Sequence, residues 1–378
     1  MFSDFMKMLL DTSLDIKNII CSYIYDLKDT INLYNLNKEH QHSIRITNLY
    51  DISNKYLNKL SQEIIEQIKF KYVEKLNVYN NQQIKNVNHM EKTLKKLNCG
   101  FNSGIDQNGI SELNLIELYT NDNKKIKNIN HMKKTLKKLC CCYKSGIDQA
   151  SIVELKLIKL DADNNEKIEN VNHMKETLKI LDCRGSCGID QNGISELNLI
   201  ELCAAGNKKI KNVNHMKNTL QKLNCGSRSG IDQNGISELN LIELLVYDNE
   251  QIKSVNHMKK TLKILDCDYD SGIDQNGISE LNLIELYTND NKKIQNVNHM
   301  KKTLKKLYCC YKSGIDENGI SELNLIELYT NDNKKIKNVN HMKKTLKKLN
   351  CSYKSGIDKN GISELNLIEL CAFGNNKI

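Results

Sequence analysis

The sequence predicts an α/β solenoid of short parallel strands, and three observations carry that reading. The triplet Gly-Ile-Asp recurs at Gly104, Gly146, Gly188, Gly230, Gly272, Gly314 and Gly356, and Asn-His-Met places His89, His131, His173, His215, His257, His299 and His341, both in steps of 42 residues without an insertion. A Leu-x-x-Leu pattern halves the period, opening at Leu94, Leu115, Leu136 and Leu157 and giving about fifteen units of 21 residues between Val73 and the end of the chain. Within a unit, Leu118, Tyr119 and Thr120 alternate with the two-residue period of a strand, and Ile126, Ile129, Met132 and Leu136 then follow the spacing of a helical or 3₁₀ turn. One such unit cannot bury both of its apolar edges, whereas a stack of them can.

Taken in order, residues 1–72 stand outside the repeat. Ile19, Leu27, Ile31 and Leu33 extend a helical spacing that predicts two or three short helices joined at Lys28-Asp29. The stretch from Leu14 to Lys38 resembles an F-box, through Leu14, Ile16, Ile20, Tyr23, Ile24, Asp29, Leu36 and Lys38. It departs from that pattern in lacking a Leu-Pro start, in the residue after Asp29, and in His40 where an aromatic residue is common. The resemblance implies docking to the linker subunit of a ubiquitin ligase. The alternative reading of the same block is a helical cap that shields the first coil of the solenoid. The expected organisation is a helical, F-box-like region over 1–45, a helical cap over 46–72 with Ile64, Ile65 and Ile68 on its apolar face, and a solenoid over 73–378.

The repeats resemble the leucine-rich repeat. LxxLxLxxNxxI is met by Leu115, Leu118, Thr120, Asn123 and Ile126, and again by Leu283, Leu286, Thr288, Asn291 and Ile294. The resemblance implies a horseshoe with a parallel β-sheet on its concave side. Asparagine holds the ladder position only in alternate units, from Asn81 and Asn123 to Asn375, and there its amide can serve buried loop backbone. The intervening units carry Asn102, Lys144, Ser186, Arg228, Asp270, Lys312 and Lys354 instead, so their loops are expected to differ, with the nearby glycine supplying a tight bend. The near-verbatim copies and the bias to Asn, Lys and Ile also resemble repeat proteins of large DNA viruses that infect amoebae. The final unit stops halfway at Ile378, so its strand is expected to lack a polar cap.

Composition narrows the function. Hydrophobic residues make up 39 % of the 378, and no apolar run approaches the ~18 residues of a membrane span. The N-terminus has no secretory pattern, so a cytoplasmic location is expected, in the host cell if the protein is viral. Of the 14 cysteines, Cys99, Cys141, Cys183, Cys225, Cys267, Cys309 and Cys351 take an inward strand position every second coil. That separation, twice ~4.8 Å, is too long for disulfides or shared zinc and fits small buried side chains in a reducing compartment. Cys140 and Cys142 flank Cys141 and are expected as exposed thiols. The histidines are likewise too far apart to share a metal, and Asp106 before Gly109 reads as a turn cap rather than a calcium loop. No phosphate loop, serine elbow or zinc-protease motif occurs. No catalytic residue, cofactor or metal is therefore expected.

Charge leaves a binding role. Net charge is +9, and Lys334, Lys335, Lys337, Lys343, Lys344, Lys347 and Lys348 form a run without an acid, predicting a basic outer strip. Nucleic acid as its ligand is disfavoured, because no aromatic residue interleaves the lysines. On the concave face a first outward row alternates Glu117, Lys138, Glu201, Lys222 and Glu243, as scaffold. The next rows vary while the framework does not, and Tyr119, Asp161, Asp182, Tyr247, Asp266, Tyr287, Tyr308, Tyr329 and Phe373 are the residues expected to contact a protein partner.

Overall fold

The alternation in each unit folds as a three-residue strand whose two outer residues face outward and whose middle leucine is buried, save for the exposed Leu370 of the last strand. The computed structural model describes residues 45–51, 57 and 59–378, so the F-box-like positions Leu14 to Lys38 lie outside the described residues. The chain divides into two units, Met1–Leu178 and Lys179–Ile378. In the first, parallel strands β1 (Asn48–Leu49), β2 (Lys75–Asn77), β3 (Lys96–Asn98), β4 (Glu117–Tyr119), β5 (Lys138–Cys140) and β6 (Lys159–Asp161) pair in chain order. Their register sets Leu49, Leu76, Leu97, Leu118, Leu139 and Leu160 side by side. The second unit continues the pattern with β7 (Ile180–Asp182), β8 (Glu201–Cys203), β9 (Lys222–Asn224), β10 (Glu243–Leu245) and β11 (Ile264–Asp266). It ends with β12 (Glu285–Tyr287), β13 (Lys306–Tyr308), β14 (Glu327–Tyr329), β15 (Lys348–Asn350) and β16 (Glu369–Cys371).

Two kinds of coil alternate, and they differ in how they satisfy buried loop backbone. In one, Asn291 donates through Nδ2 to the carbonyls of Cys267 (2.8 Å) and Ile273 (3.2 Å) and accepts from the Lys293 amide at 2.9 Å. Its return path is a 3₁₀ turn at Asn298–Met300. In the other coil the asparagine is replaced, one position later, by a buried serine: Ser271 accepts the Ile273 amide at 3.4 Å, and the 3₁₀ turn is Asn276–Ile278. Most coils of either kind bend at a residue with positive φ that is not glycine, such as Asp290 (56°) and Tyr311 (59°), while Gly185, Gly206 and Gly374 take that position in three of them. The expectation that glycine makes the bend in the intervening units is met at Gly185 and corrected in the others. Gly272 is needed for close approach instead, because a Cβ there would lie 2.5 Å from the Glu250 and Ile252 carbonyl oxygens.

Residues 46–72 hold a short strand, β1, as well as the helices α1 (Gln62–Ile65) and a 3₁₀ turn at Ile68–Phe70. They behave as a degenerate first coil. Leu57 and Leu60 offer carbonyls to Asn81 at 2.9 Å each, and Gln62 accepts the Lys85 amide at 2.9 Å, as Gln107 does for Lys127. Ser61 caps α1 by accepting the Ile64 amide. No helix among the described residues is long and apolar enough to cross a membrane.

One coil shows what the repeat glycine does. Elsewhere Asp-Gln-Asn-Gly-Ile-Ser brings a glycine carbonyl to the preceding coil, as Gly235 accepts the Val213 amide at 3.0 Å, and a Cβ on Gly235 would sit 2.1 Å from the Lys211 oxygen. At 148–153 the sequence is Asp-Gln-Ala-Ser-Ile-Val, and with Ser151 in the glycine's place the turn becomes an α-helix, α2 (Gln149–Ile152). Ser151 then donates its hydroxyl to the Lys127 carbonyl, and buried Asn130 Oδ1 is left without the amide that Glu238 gives the equivalent Asn214 at 3.0 Å. Restoring the repeat with Ala150→Asn, Ser151→Gly and Val153→Ser together is expected to raise stability by about 1 to 2 kcal/mol, read as a higher denaturant midpoint. No gain would sink this account of the turn.

Candidate functional site

The outward residues of the strands form rows along each unit, and the first row is held by ion pairs. Glu117 receives Lys138 at 2.6 Å and Lys96 at 3.4 Å, Lys222 meets Glu243 at 3.0 Å, and Lys348 meets Glu369 at 3.4 Å. Burial raises the Glu117 pKa, but Lys138 and then Lys96 outweigh it and hold the carboxyl below its usual range. Such exposed pairs contribute only about 0.2–1 kcal/mol each, so this row sets register rather than function.

The second row carries most of the expected site. Tyr287, Tyr308 and Tyr329 occupy the same place on β12, β13 and β14 and stack, with ring centroids 4.1 and 4.2 Å apart and planes 8° and 11° from parallel. The Tyr287 hydroxyl donates to Glu285, and that of Tyr329 to Glu327 at 3.3 Å. Burial, reinforced by these carboxylates and the neighbouring phenols, raises the pKa of both. In the first unit, Tyr119 belongs to a different arrangement: its centroid is 6.2 Å from that of Tyr50, and the Lys96 ammonium lies 3.9 Å above the Tyr50 ring. Tyr50 escapes the sequence reading because it follows β1, outside the 21-residue period. Phe373 packs edge-on against Tyr353 at 5.9 Å, and Tyr247 is half-buried.

The aspartates of the expected site are each engaged locally. Asp182 holds the Arg184 guanidinium at 2.8 Å. Asp266 accepts the Asp268 amide at 3.1 Å, and Asp268 accepts from the Asn289 backbone (2.6 Å) and side chain (2.8 Å). Asp161 meets Cys140 and Cys142, whose thiols donate to its carboxylate at 3.1 and 2.9 Å. The two cysteines, expected to be exposed, are buried, because the carboxylate of the next coil and the loop around Asn121 lie over them. The inward cysteines are buried as expected: burial pushes Cys99 up to about 12, and no disulfide joins the described cysteines.

The lysine run does not form a strip. Winding distributes it, with Lys348 on the sheet face, Lys343 paired to Glu364 at 2.6 Å, and Lys335 donating to the Ser313 carbonyl at 3.2 Å. Equivalent outer pairs join Lys217 to Glu238 and Lys301 to Glu322. The histidines are structural, since each ring Nε2 faces a carbonyl of the preceding coil, as His257 does Ile236 at 3.1 Å. A carbonyl only accepts, so Nε2 carries the proton.

Aromatic residues do interleave lysines, but across coils rather than along the sequence. Tyr143, Tyr269, Tyr311 and Tyr353 stand about half exposed at the positive-φ bends. Tyr311 lines a cleft of about 670 Å³ together with Lys292, Lys312, Lys334, Lys335 and Lys354 and two aspartates, Asp290 and Asp332. The expectation that the lysines lack interleaved aromatics is thereby corrected.

Burial, then repulsion by Asp268, raises Asp266 to about 7, against the pull of the Asp268 amide. Asp268 is raised to about 6 by burial, with Asn289 opposing and Asp290 adding to the shift. Both folded values exceed the unfolded ~3.9, so the stability these groups contribute is complete below about pH 4 and lost as pH rises through 6 to 7. Asp266→Asn should therefore stabilise the chain by about 1–3 kcal/mol at pH 8 and by progressively less towards pH 4. Thermal midpoints across that range check it, and a gain independent of pH would contradict it.

No family model and no curated protein matches the sequence. Solved structures do. The functional domain of InlJ from Listeria monocytogenes, described as including a cysteine ladder, aligns with a TM-score of 0.50 at 19 % identity over 78 % of this chain and 70 % of that one. The Rad7 and Elc1 complex of yeast aligns at 0.45 and 15 % identity, covering 81 % and 90 % of the two chains. The internalin inlF of Listeria monocytogenes aligns at 0.38 and 17 %, covering 82 % of each. With the parallel strands and the 21-residue coil, the likeness to the InlJ domain establishes the fold as a leucine-rich-repeat solenoid.

Proposed function

We propose that this chain is a non-catalytic scaffold that binds a protein partner on its open sheet face, and the stacked Tyr287, Tyr308 and Tyr329 are the observation that carries the reading. Three large rings fixed by their neighbours and by Glu285 and Glu327 offer contact area at a low ordering cost on binding, which suits interface anchors. Buried interiors do not require them, for the framework repeats without tyrosine in other coils. Affinity purification from the native cell tests this. Tyr308→Ala should weaken retention of the same partner by about thirtyfold (~2 kcal/mol), while Lys301→Ala on the outer pairs should not. Equal loss in both variants, or in neither, would remove the sheet face from the reading. Repeating the purification with a chain lacking residues 1–45 separates the F-box-type adaptor alternative: loss of a ubiquitin-ligase linker subunit supports it, and its absence from the full-length sample removes it.

A second reading rests on the bends. Aromatic side chains in the left-handed region cost about 1–3 kcal/mol each, and Tyr311 is about half exposed as well, so packing gains do not account for it. Set among Lys292, Lys312, Lys334 and Lys354, with Asp290 and Asp332 beside them, its ring offers a stacking surface for single-stranded nucleic acid. Such binding should fall steeply between 50 and about 200 mM salt and drop in Tyr311→Ala, as followed by fluorescence anisotropy of a labelled oligonucleotide. Salt-independent or absent binding would dismiss it.

A further inference from the structure

Cys140, Cys142 and Asp161 bring three metal-ligating side chains within reach of one another, the one such group among the described residues. The sulfurs of Cys140 and Cys142 are 3.5 Å apart, and each lies against a different oxygen of the Asp161 carboxylate, at 3.1 and 2.9 Å. The ligand atoms of all three lie within 4.8 Å of one another. Both cysteines are buried, whereas Asp161 is half exposed and opens the cluster to the sheet face. We propose that these three side chains form a binding site for a thiophilic divalent ion, with Zn2+ the fitting physiological one.

The dimensions suit that ion. Bonds of ~2.3 Å to sulfur in a tetrahedral site place the two sulfurs about 3.8 Å apart, close to the separation present. An oxygen bonded at ~2.0 Å would lie about 3.5 Å from each sulfur, so the carboxylate moves outward by about half an ångström as its two thiol hydrogen bonds are replaced. Three protein ligands leave a fourth position for water on the sheet side. A disulfide is the poorer use of the pair. Residues two apart on an extended strand have Cα atoms about 6.6 Å apart, at the outer limit of disulfide geometry.

The sequence supports the exception. Other outward cysteines have no such partner two residues along the strand: Cys203 precedes Ala205, and Cys371 precedes Phe373. The lysine row also changes here. Lys138 and Lys159 lie side by side on β5 and β6, two residues before Cys140 and Asp161, as Lys75 and Lys96 also do on β2 and β3. Binding converts two thiols and a carboxylate into a complex of net charge −1 and releases two protons to solvent, and Lys159, with Lys138 already shared with Glu117, lies on the side of that charge. Because two thiol protons must leave for the ion to bind, the site fills more tightly as pH rises.

The test uses the full chain, reduced and freed of metal, titrated with Co2+ and with Cd2+. Expected are one equivalent of a sulfur-to-metal charge-transfer band, the intense visible spectrum of tetrahedral cobalt, and release of about two protons per ion. Cys142→Ser should abolish the band, and Asp161→Asn should weaken affinity by tenfold or more, by about the margin a lost supporting group costs. Cys267→Ser, in the inward ladder, should leave all three readouts unchanged. Thermal midpoints without metal report whether each variant folds. Should Cys142→Ser not fold, Asp161→Cys provides the second arm, since a third thiolate must keep the stoichiometry and intensify the band. A wild-type chain without the band, or one whose band survives Cys142→Ser or follows Cys267, overturns the proposal.

Discussion

Buried backbone that belongs to no strand is the constraint on which everything else in this fold depends. Each coil devotes three residues to the sheet and must carry the rest across a column where water cannot reach, so every carbonyl along that path needs a donor. Asn291 meets the need with one amide that serves Cys267, Ile273 and Lys293 together. Where serine takes over, it accepts only the next amide but one, and the asparagine of the preceding coil takes up the amide beside it, as Asn249 does for Gly272 at 2.8 Å. The two coil types therefore depend on each other, which is why the true repeat is 42 residues and not 21.

That dependence explains what the sequence could and could not disclose. Strand register, the inward cysteines and the asparagine ladder are periodic, and a period survives in one dimension. Contacts between coils do not, because they join residues about 21 apart whose side chains must also lean the right way. Tyr287, Tyr308 and Tyr329 are visible as candidates, but their stack is visible only once β12, β13 and β14 lie in register. Cys140 and Cys142 alternate as expected, yet Asp161 of the following coil buries them. The lysine run from Lys334 to Lys348 reads as a strip because it is contiguous, and winding through most of a coil separates its members onto different surfaces. β1 precedes β2 by 27 residues, so no search for a fixed period finds it.

The outward rows have the opposite freedom. An outward residue touches its lateral neighbours and solvent, and any side chain that suits those neighbours is accepted. The aspartates show how local that accommodation is. At the same row position, Asp182 takes a guanidinium from its own coil, Asp266 takes a backbone amide from its own strand exit, and Asp161 takes two thiols from the coil before. Each carboxylate thus meets a donor within one or two coils, by a different chemistry each time, and at Asp266 the single amide does not outweigh burial and Asp268.

It follows that charge on this face is largely spent within the chain, and a partner drawn to it would have to displace a neighbour first. The rings of Tyr287, Tyr308 and Tyr329 are in another position. The hydroxyls of Tyr287 and Tyr329 are held by carboxylates at the sheet, but the ring edges are not covered, and three rings in a row present a continuous apolar surface amid polar rows. Desolvating such edges costs little, whereas desolvating a compensated carboxylate costs more than re-pairing it returns. The affinity of the sheet face for a protein should therefore reside in its tyrosines, with the aspartates shaping what surrounds them.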